Sequence, residues 1–586
     1  MRFTKFNNQT HIPLFTTLLF LSLSFYLACT GGGTPKPADE TAVLTSAAPA
    51  IIVQPGVPSD ITGGAPNATL MQAALFAWQE FIALNWPALP GFRDSANVNA
   101  MFGGPNDTVL VWHTFRHKVE IYPGNGKPPH GAEQGPPDYG YNQYPAYYYT
   151  PDSVGKGGDG QVKPCGAPSS STPWVNLDEI NEIGVATMFA GAGSTTYPGQ
   201  QILFLAKANK SEYVYVTKNG WNAGGTKFNN AQTKTVAYIK KNSNTPPPTM
   251  GDSLVSFPYG TIEVKTGWRR LTSAEQQSGH FYTTKVRYYQ LSSTTKKPCY
   301  TDEVLGMVAL HIIHKTPTAP YFTFATFEQT DNILTTGGKP VEDSLGNLIA
   351  NLDSMPLNPN FKVKNATPST PIMFSPTIAT SKPGSSLYYY NTPSQGLPTG
   401  SVTINRRMYP IPPDIIAANK SAHDAITTYN KKNGIKKSPW TYYRLTNVQY
   451  KPINKPTPGV NYSAADSANY YLSNSVVESD HILQQFSGKF SGLKGAGGNT
   501  ITDFTNTIPP KSSAQDTTAY NAYHNGKFLM GGCMGCHGNA TNGGSDYSFI
   551  LGFPVQIPAF AAPAGQPIDL NSSKFKQLRA FLKLNK

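Results

Sequence analysis

Two thiols and an imidazole stand together near the C-terminus, in the run Cys533-Met534-Gly535-Cys536-His537. Cys-x-x-Cys-His is the spacing of covalent haem attachment, in which both thiols bond to the porphyrin and the adjoining histidine ligates the iron. Two intervening residues hold the thiols at the separation of the two vinyl groups. Gly531, Gly532 and Gly535 remove bulk where backbone must pass close to a flat cofactor. The pattern implies one covalent haem c, with Cys533 and Cys536 as attachment points and His537 as iron ligand. A structural zinc site would need four ligands, commonly two such pairs, and the sequence has no other close cysteine pair. A thioredoxin-like redox pair would sit between a strand and a helix of an α/β domain, whereas glycines frame this one. A plain disulfide between the two cysteines is the other alternative.

The sixth ligand decides what such an iron can do. Met530 and Met534 flank the motif too closely to arch over the ring, and no methionine follows Met534. Candidates from upstream are His524, His481, His311, His314, His113 and His117, and the methionines Met307 and Met408. A second histidine would close the iron and suit it to electron transfer. An open iron would bind a small ligand or peroxide. Each candidate also has an ordinary role open to it: His311 as a core or edge histidine, His314 as a solvent-facing residue before a Lys-Thr-Pro turn. His113 and His117 are four apart, so on a helix they would share a face that could present two imidazoles to one metal. An enzymatic reading would draw on Glu263, Arg269, Arg270, Glu328 and Asp331 as a polar cleft, with Trp268 or Trp112 relaying an electron. Charged strand residues more often face solvent or form structural ion pairs. The G-x-S-x-G, H-E-x-x-H and G-x-G-x-x-G signatures of hydrolases, metalloproteases and dinucleotide enzymes are missing.

The compartment follows from the N-terminus. Arg2 and Lys5 precede an uncharged, largely apolar run from Ile12 to Ala28, which ends at Cys29. Residues 1–28 read as a secretory signal. Tyr26-Leu27-Ala28-Cys29 resembles a bacterial lipoprotein processing site, which implies lipidation of Cys29 and a place in the bacterial cell envelope, in the periplasm or at the outer-membrane surface. The alternative is an uncleaved anchor, although the run falls short of the ~20 residues of a membrane span. Five cysteines then sort fully: Cys29 carries lipid, Cys533 and Cys536 carry haem, and Cys165 and Cys299 are left to pair in an oxidising compartment. The formal net charge of +13 is spread along the whole chain. No arginine-rich arm argues for nucleic acid. An anionic membrane surface or an acidic redox partner suits a basic exported protein better.

The elements that must position these groups fall into three parts. Residues 29–66 are rich in Thr, Ala, Pro and Gly and read as a disordered tether. Residues 67–465 form a large β-rich domain. It opens with a helix capped by Asn67 or Thr69, whose Leu70, Ala74, Trp78 and Phe81 recur at helical spacing until Asn85-Trp86-Pro87. Residues 107–120 also read as helical. QILFLA (201–206), EYVYVT (212–217), TIEVKTGWRRL (261–271), HFYTTKVRYYQL (280–291), VLGMVALHII (304–313) and YFTFATFE (321–328) read as strands. Stretches 125–175 and 375–400 read as unusually long loops. Residues 466–586 form a haem-binding region with a helix near 465–486 and a closing helix at 572–584. The fold class is α+β: a large β-rich body with helical decoration, plus a small, mostly helical C-terminal cytochrome c-like region.

Several phrases together resemble a family of large, exported bacterial lipoproteins described only as cytochrome c family proteins, with a single C-terminal haem motif. They are AWQEFIALNWPA (77–88), VWHTFRHKVEIYP (111–123), TIEVKTGWRRL (261–271), LGMVALHIIHKT (305–316), FTFATFEQTDN (322–332), YYRLTNVQY (442–450), NSVVESDHILQQF (474–486) and DYSFILG (546–552). The resemblance implies one haem c and export, and names no substrate. The long bridge between NSVVES and the haem motif departs from that family's closer spacing. The function expected is electron transfer as an exported monohaem c-type cytochrome, with a protein partner or a small-molecule donor or acceptor. The rival expectations are a peroxidase-like or oxidase-like haem enzyme, and a cell-surface binding protein with a structural or sensory haem.

Overall fold

Thr69 starts the first helix by a reciprocal cap. Its hydroxyl accepts the Gln72 N–H at 3.2 Å, and the Gln72 side chain accepts the Thr69 N–H at 2.8 Å. Helix α1 (Leu70–Leu84) follows and stops at Asn85, whose amide donates to the Phe81 carbonyl. The structure is a computed structural model. It describes residues 50–105, 108–122, 139–140, 162–167, 169, 172–177, 188–190, 200–241, 247, 251–292, 294–295, 298–332, 342–347, 374–378, 387–389, 402–404, 411–450, 453–454, 474, 477, 493–494, 500–501, 528–529, 533–534, 537, 540 and 544–551.

Central segments rich in β-branched and aromatic residues build a nine-stranded sheet that curls into a half-barrel. Its strands are β1 (Arg116–His117), β2 (Lys163–Pro164), β3 (Val175–Leu177), β4 (Leu203–Ala208), β5 (Thr261–Arg269), β6 (Thr283–Leu291), β7 (Pro298–Lys315), β8 (Thr323–Gln329) and β9 (Tyr443–Gln449). The order along the main path is β1-β4-β5-β7-β8-β9, antiparallel throughout. Strand β7 spans 18 residues: its first half pairs with β6 and its second half with β5. β2 runs parallel to the start of β7, and β3 runs parallel to β6.

Side chains alternate across a strand, so each strand serves two faces. Ile262, Val264, Leu310, Ile312, Phe327 and Leu445 pack against α1 and the later helix α4 (Pro413–Lys432). There the Trp78 indole donates to Asn419 at 2.8 Å, and Phe81 lies 4.5 Å from Phe327 between ring centres. The opposite face presents Ala208, Ile313 and Phe324. It is covered by α2 (Lys210–Lys218), by α3 (Gly225–Lys241), and by Cys533, Met534, Tyr547, Ile550 and Leu551 from the C-terminal part of the chain. A register shift between Gly267 and Trp268 leaves Val308 as the extra residue of β7, which turns Met307 back toward α1.

Cys165 and Cys299 are disulfide-bonded, as the cysteine count suggested. The bond joins positions 134 apart and fixes β2 to the start of β7, where the Cys165 N–H also donates to the Tyr300 carbonyl at 2.8 Å.

Four expectations are corrected. Residues 107–120 are not one helix: a 3-10 turn at Val111–Thr114 gives way to β1 and a single helical turn at Lys118–Ile121. Pairing of Arg116 with Ala208 and of His117 with Lys207 pulls that backbone into the sheet edge. Residues 212–217 lie in helix α2, where Tyr213 and Val216, three apart, bury on one side. The tether is shorter than 29–66: Ile51, Ile61 and Ala65 join the core around α1, and Asp60 accepts hydrogen bonds from Thr316 and Thr318. Short strands at Phe374–Ile378 and Leu387–Tyr389 interrupt the stretch read as a loop at 375–400. The helices expected at 465–486 and 572–584 lie outside the described residues, apart from Asn474 and Val477.

Candidate functional site

Polar contacts hold the motif segment on the sheet face opposite α1. The Met534 N–H donates to the Gln449 side chain of β9 at 2.9 Å. Gln232 of α3 donates to the Ser545 hydroxyl at 2.9 Å. Asp546 accepts from the Lys315 ammonium at 2.6 Å and from the Phe257 N–H at 2.9 Å. Met534 and Tyr547 are buried beside them.

These contacts bring His537 over a defined patch. Its Nδ1 lies 2.7 Å from the Tyr547 carbonyl oxygen. A carbonyl only accepts, so Nδ1 carries the hydrogen and Nε2 keeps its lone pair. The ring packs between Phe324 and Phe549, at 4.8 and 4.7 Å between centres. Burial pushes the His537 pKa down to about 4, against the Tyr547 hydrogen bond and with help from the Lys265 charge. The imidazole is therefore neutral at neutral pH, the form in which it can ligate a metal.

The sheet beneath is read off the register. One row runs Ala206, Lys265, His311, Thr326, Asn447 across five strands, and the next runs Ala208, Glu263, Ile313, Phe324, Gln449. His311 thus shares the face on which His537 docks. Burial pushes its pKa down to about 3, with Lys265 and His537 adding repulsion.

The other candidates go elsewhere. His314 faces α1, with Nδ1 2.5 Å from Glu80 and its ring stacked on Phe76. Met307 is buried in the α1-side core. His113 lies in the 3-10 turn, where its Nδ1 accepts the Leu110 N–H, and His117 lies in β1, so no helical face unites the two rings. Among the described residues no group of three His, Cys, Asp or Glu side chains could hold a metal ion. Cys29, Cys536, His481, His524 and Met408 lie outside the described residues.

The residues suggested as a polar cleft are dispersed among separate partners. Arg269 pairs with Glu275, Arg270 with Glu303, Arg444 with Glu328, and His280 with Asp331. Trp112 and Trp268 pack 6.3 Å apart in the α1-side core. Glu263 lies in the same cross-strand row as Phe324, against which His537 packs. It meets Glu212 of α2, and burial raises both carboxyls: Glu263 to about 7, Glu212 well above its usual range.

Sequence reasoning missed Lys265, Phe324 and the Glu212–Glu263 pair as neighbours of the motif. The alternation in TIEVK puts Glu263 and Lys265 on one face, yet only the strand register shows which face that is. No protein-family model, no curated protein and no solved structure matches this chain.

Proposed function

We propose that the protein is an exported monohaem c-type cytochrome. One haem c is bonded to Cys533 and Cys536, and His537 supplies an axial nitrogen. The observation that carries this reading is the 2.7 Å contact from His537 Nδ1 to the Tyr547 carbonyl. A histidine that ligates a metal through one nitrogen is commonly fixed by a hydrogen bond from the other, which sets tautomer and ring orientation together. The residues around it suit a flat, apolar macrocycle: Phe324, Met534, Ile550 and Leu551 are buried and carry no charge.

Bound haem supplies one-electron transfer between ferric and ferrous iron. The chain supplies the axial nitrogen, holds it neutral and packs it against apolar rings. The C-terminal region belongs to this reading as a small, mostly helical haem-binding unit on the β-rich body. Export is supported by the Cys165–Cys299 disulfide, which suits an oxidising compartment. Lipidation at Cys29 would then tether the body to a membrane, within reach of a protein partner or a small-molecule electron donor or acceptor.

The test is expression of the full chain in a bacterial periplasm with haem-attachment machinery. The expected result is a haem signal that stays with the polypeptide through denaturing electrophoresis and disappears when Cys533 and Cys536 are both replaced by Ala. A soluble, folded chain with no attached haem under these conditions would overturn the reading.

A further inference from the structure

We propose that His311 is the second axial ligand of this haem, which makes the iron closed to small molecules. The inference rests on the haem reading and adds to it the identity of the residue on the far side of the iron.

Two observations lead to His311. First, it lies on the sheet face that receives the motif. Lys265 and Thr326 are its direct cross-strand neighbours, and Phe324, two residues before Thr326 on β8, is its diagonal neighbour. Diagonal neighbours on a sheet lie roughly 7–8 Å apart, within reach of long or aromatic side chains. The His537 ring sits 4.8 Å from that same Phe324 ring. The motif histidine therefore docks one diagonal step from His311 on the sheet. Second, His314 and Met307, rival ligands within the described residues, are committed to the other side. His314 is engaged with Glu80, and the extra residue in β7 turns Met307 into the α1-side core.

The position also has a mechanical logic. His311 is in the middle of the longest strand of the sheet, flanked by β5 and β8. A ligand on a paired central strand moves little when the iron changes oxidation state. A rigid ligand on each side favours rapid electron exchange over binding of peroxide or oxygen.

The experiment uses the full chain with covalently attached haem, as wild type and as H311A and H311M. Attached haem is scored first by the denaturing-gel signal, which tests the haem reading alone. Ferrous protein is then exposed to carbon monoxide. The wild-type spectrum should not change. H311A should retain covalent haem, become high-spin and bind carbon monoxide, and added imidazole should restore the low-spin spectrum. H311M should stay low-spin and gain a sulfur-to-iron charge-transfer band, a readout independent of whether H311A folds. Wild-type protein that binds carbon monoxide readily, or variants whose spectra match wild type, would overturn His311 and leave the haem reading standing. A chain without covalent haem would overturn both.

Discussion

The Lys315 ammonium and the Asp546 carboxylate meet at 2.6 Å across 231 positions of sequence, with side chains only 2% and 1% exposed. Each group has a second partner: Lys315 also donates to the Ser256 hydroxyl, and Asp546 also accepts the Phe257 N–H. This pair joins the end of the longest strand to the loop that carries Tyr547, the hydrogen-bond partner of His537. The conformation of the His537 side chain is thus coupled to a buried ion pair.

Lys315→Met should therefore be costly. Removing one partner strands a buried charge, which costs about 3–5 kcal/mol, whereas replacing both charges with apolar residues of similar size is far milder. Denaturant unfolding should show K315M well below wild type and K315M/D546L partly restored. Hydrogen exchange at 544–551 should rise in K315M more than exchange in α1. Equal protection of both regions would show that the pair does not anchor the loop.

How much of this was legible beforehand depends on range. The cap at Thr69 and the stop at Asn85 are local, and both were readable. The strands that became β4 to β8 were readable because each holds a run rich in β-branched, aromatic and aliphatic residues between Gly, Pro and polar clusters. Residues 212–217 have the same composition, yet the chain there winds into α2 and buries Tyr213 and Val216 together. Burial against the sheet outweighs local strand propensity in that segment. The motif itself was visible, but its docking was not. Phe324 and His537 are brought together by chain topology, and no local pattern encodes that. The face served by His311 likewise depends on a one-residue register, which the bulge near Trp268 resets for Met307.

Gly544 offers a second handle on the docking. Its φ is +73°, and a Cβ there would lie 2.3 Å from the Gln232 carbonyl oxygen and 2.6 Å from the Gln232 Cα. Those are backbone atoms of α3 and cannot rotate away. Gly544→Ala should destabilise by about 1–3 kcal/mol from overpacking, plus the strain of a left-handed alanine. Gly220→Ala, at φ +68° with nothing within 4 Å, isolates the strain alone. The difference in unfolding midpoint between the two variants measures the clash, and matching midpoints would deny it.

The Cys165–Cys299 bond closes a loop of 134 positions. Removing a native disulfide from a small exported domain costs about 2–5 kcal/mol, much of it through the greater freedom of the unfolded chain. The double Ser variant should melt at lower temperature than wild type. Wild type in reductant should fall to the variant's midpoint, and the variant should be indifferent to reductant. A variant that melts with oxidised wild type would show that the β2 pairing alone holds this edge.

The Glu212–Glu263 pair gives stability a pH signature with a predictable sign. Burial raises Glu263 from 4.5 to about 7 and Glu212 well above its usual range. Between pH 4.5 and 7 the unfolded chain has lost a proton that folded Glu263 keeps, so the stability this group lends is present below 4.5 and lost as pH rises through 7. At 1.36 kcal/mol per unit, the loss is on the order of 3 kcal/mol. His423 acts in the opposite direction. Burial lowers it from 6.5 to about 4, so its contribution is present above 6.5 and lost as pH falls toward 4. Between pH 4 and 6.5 the histidine therefore opposes the acids in the unfolding free energy of the haem-free chain. E212Q/E263Q removes the ionisable carboxyls while keeping polar side chains of similar shape. Between pH 4.5 and 7 its unfolding free energy should rise more steeply with pH, or fall less, than that of wild type. A slope equal to that of wild type across this window would mean that the two glutamates do not hold a proton in the folded protein.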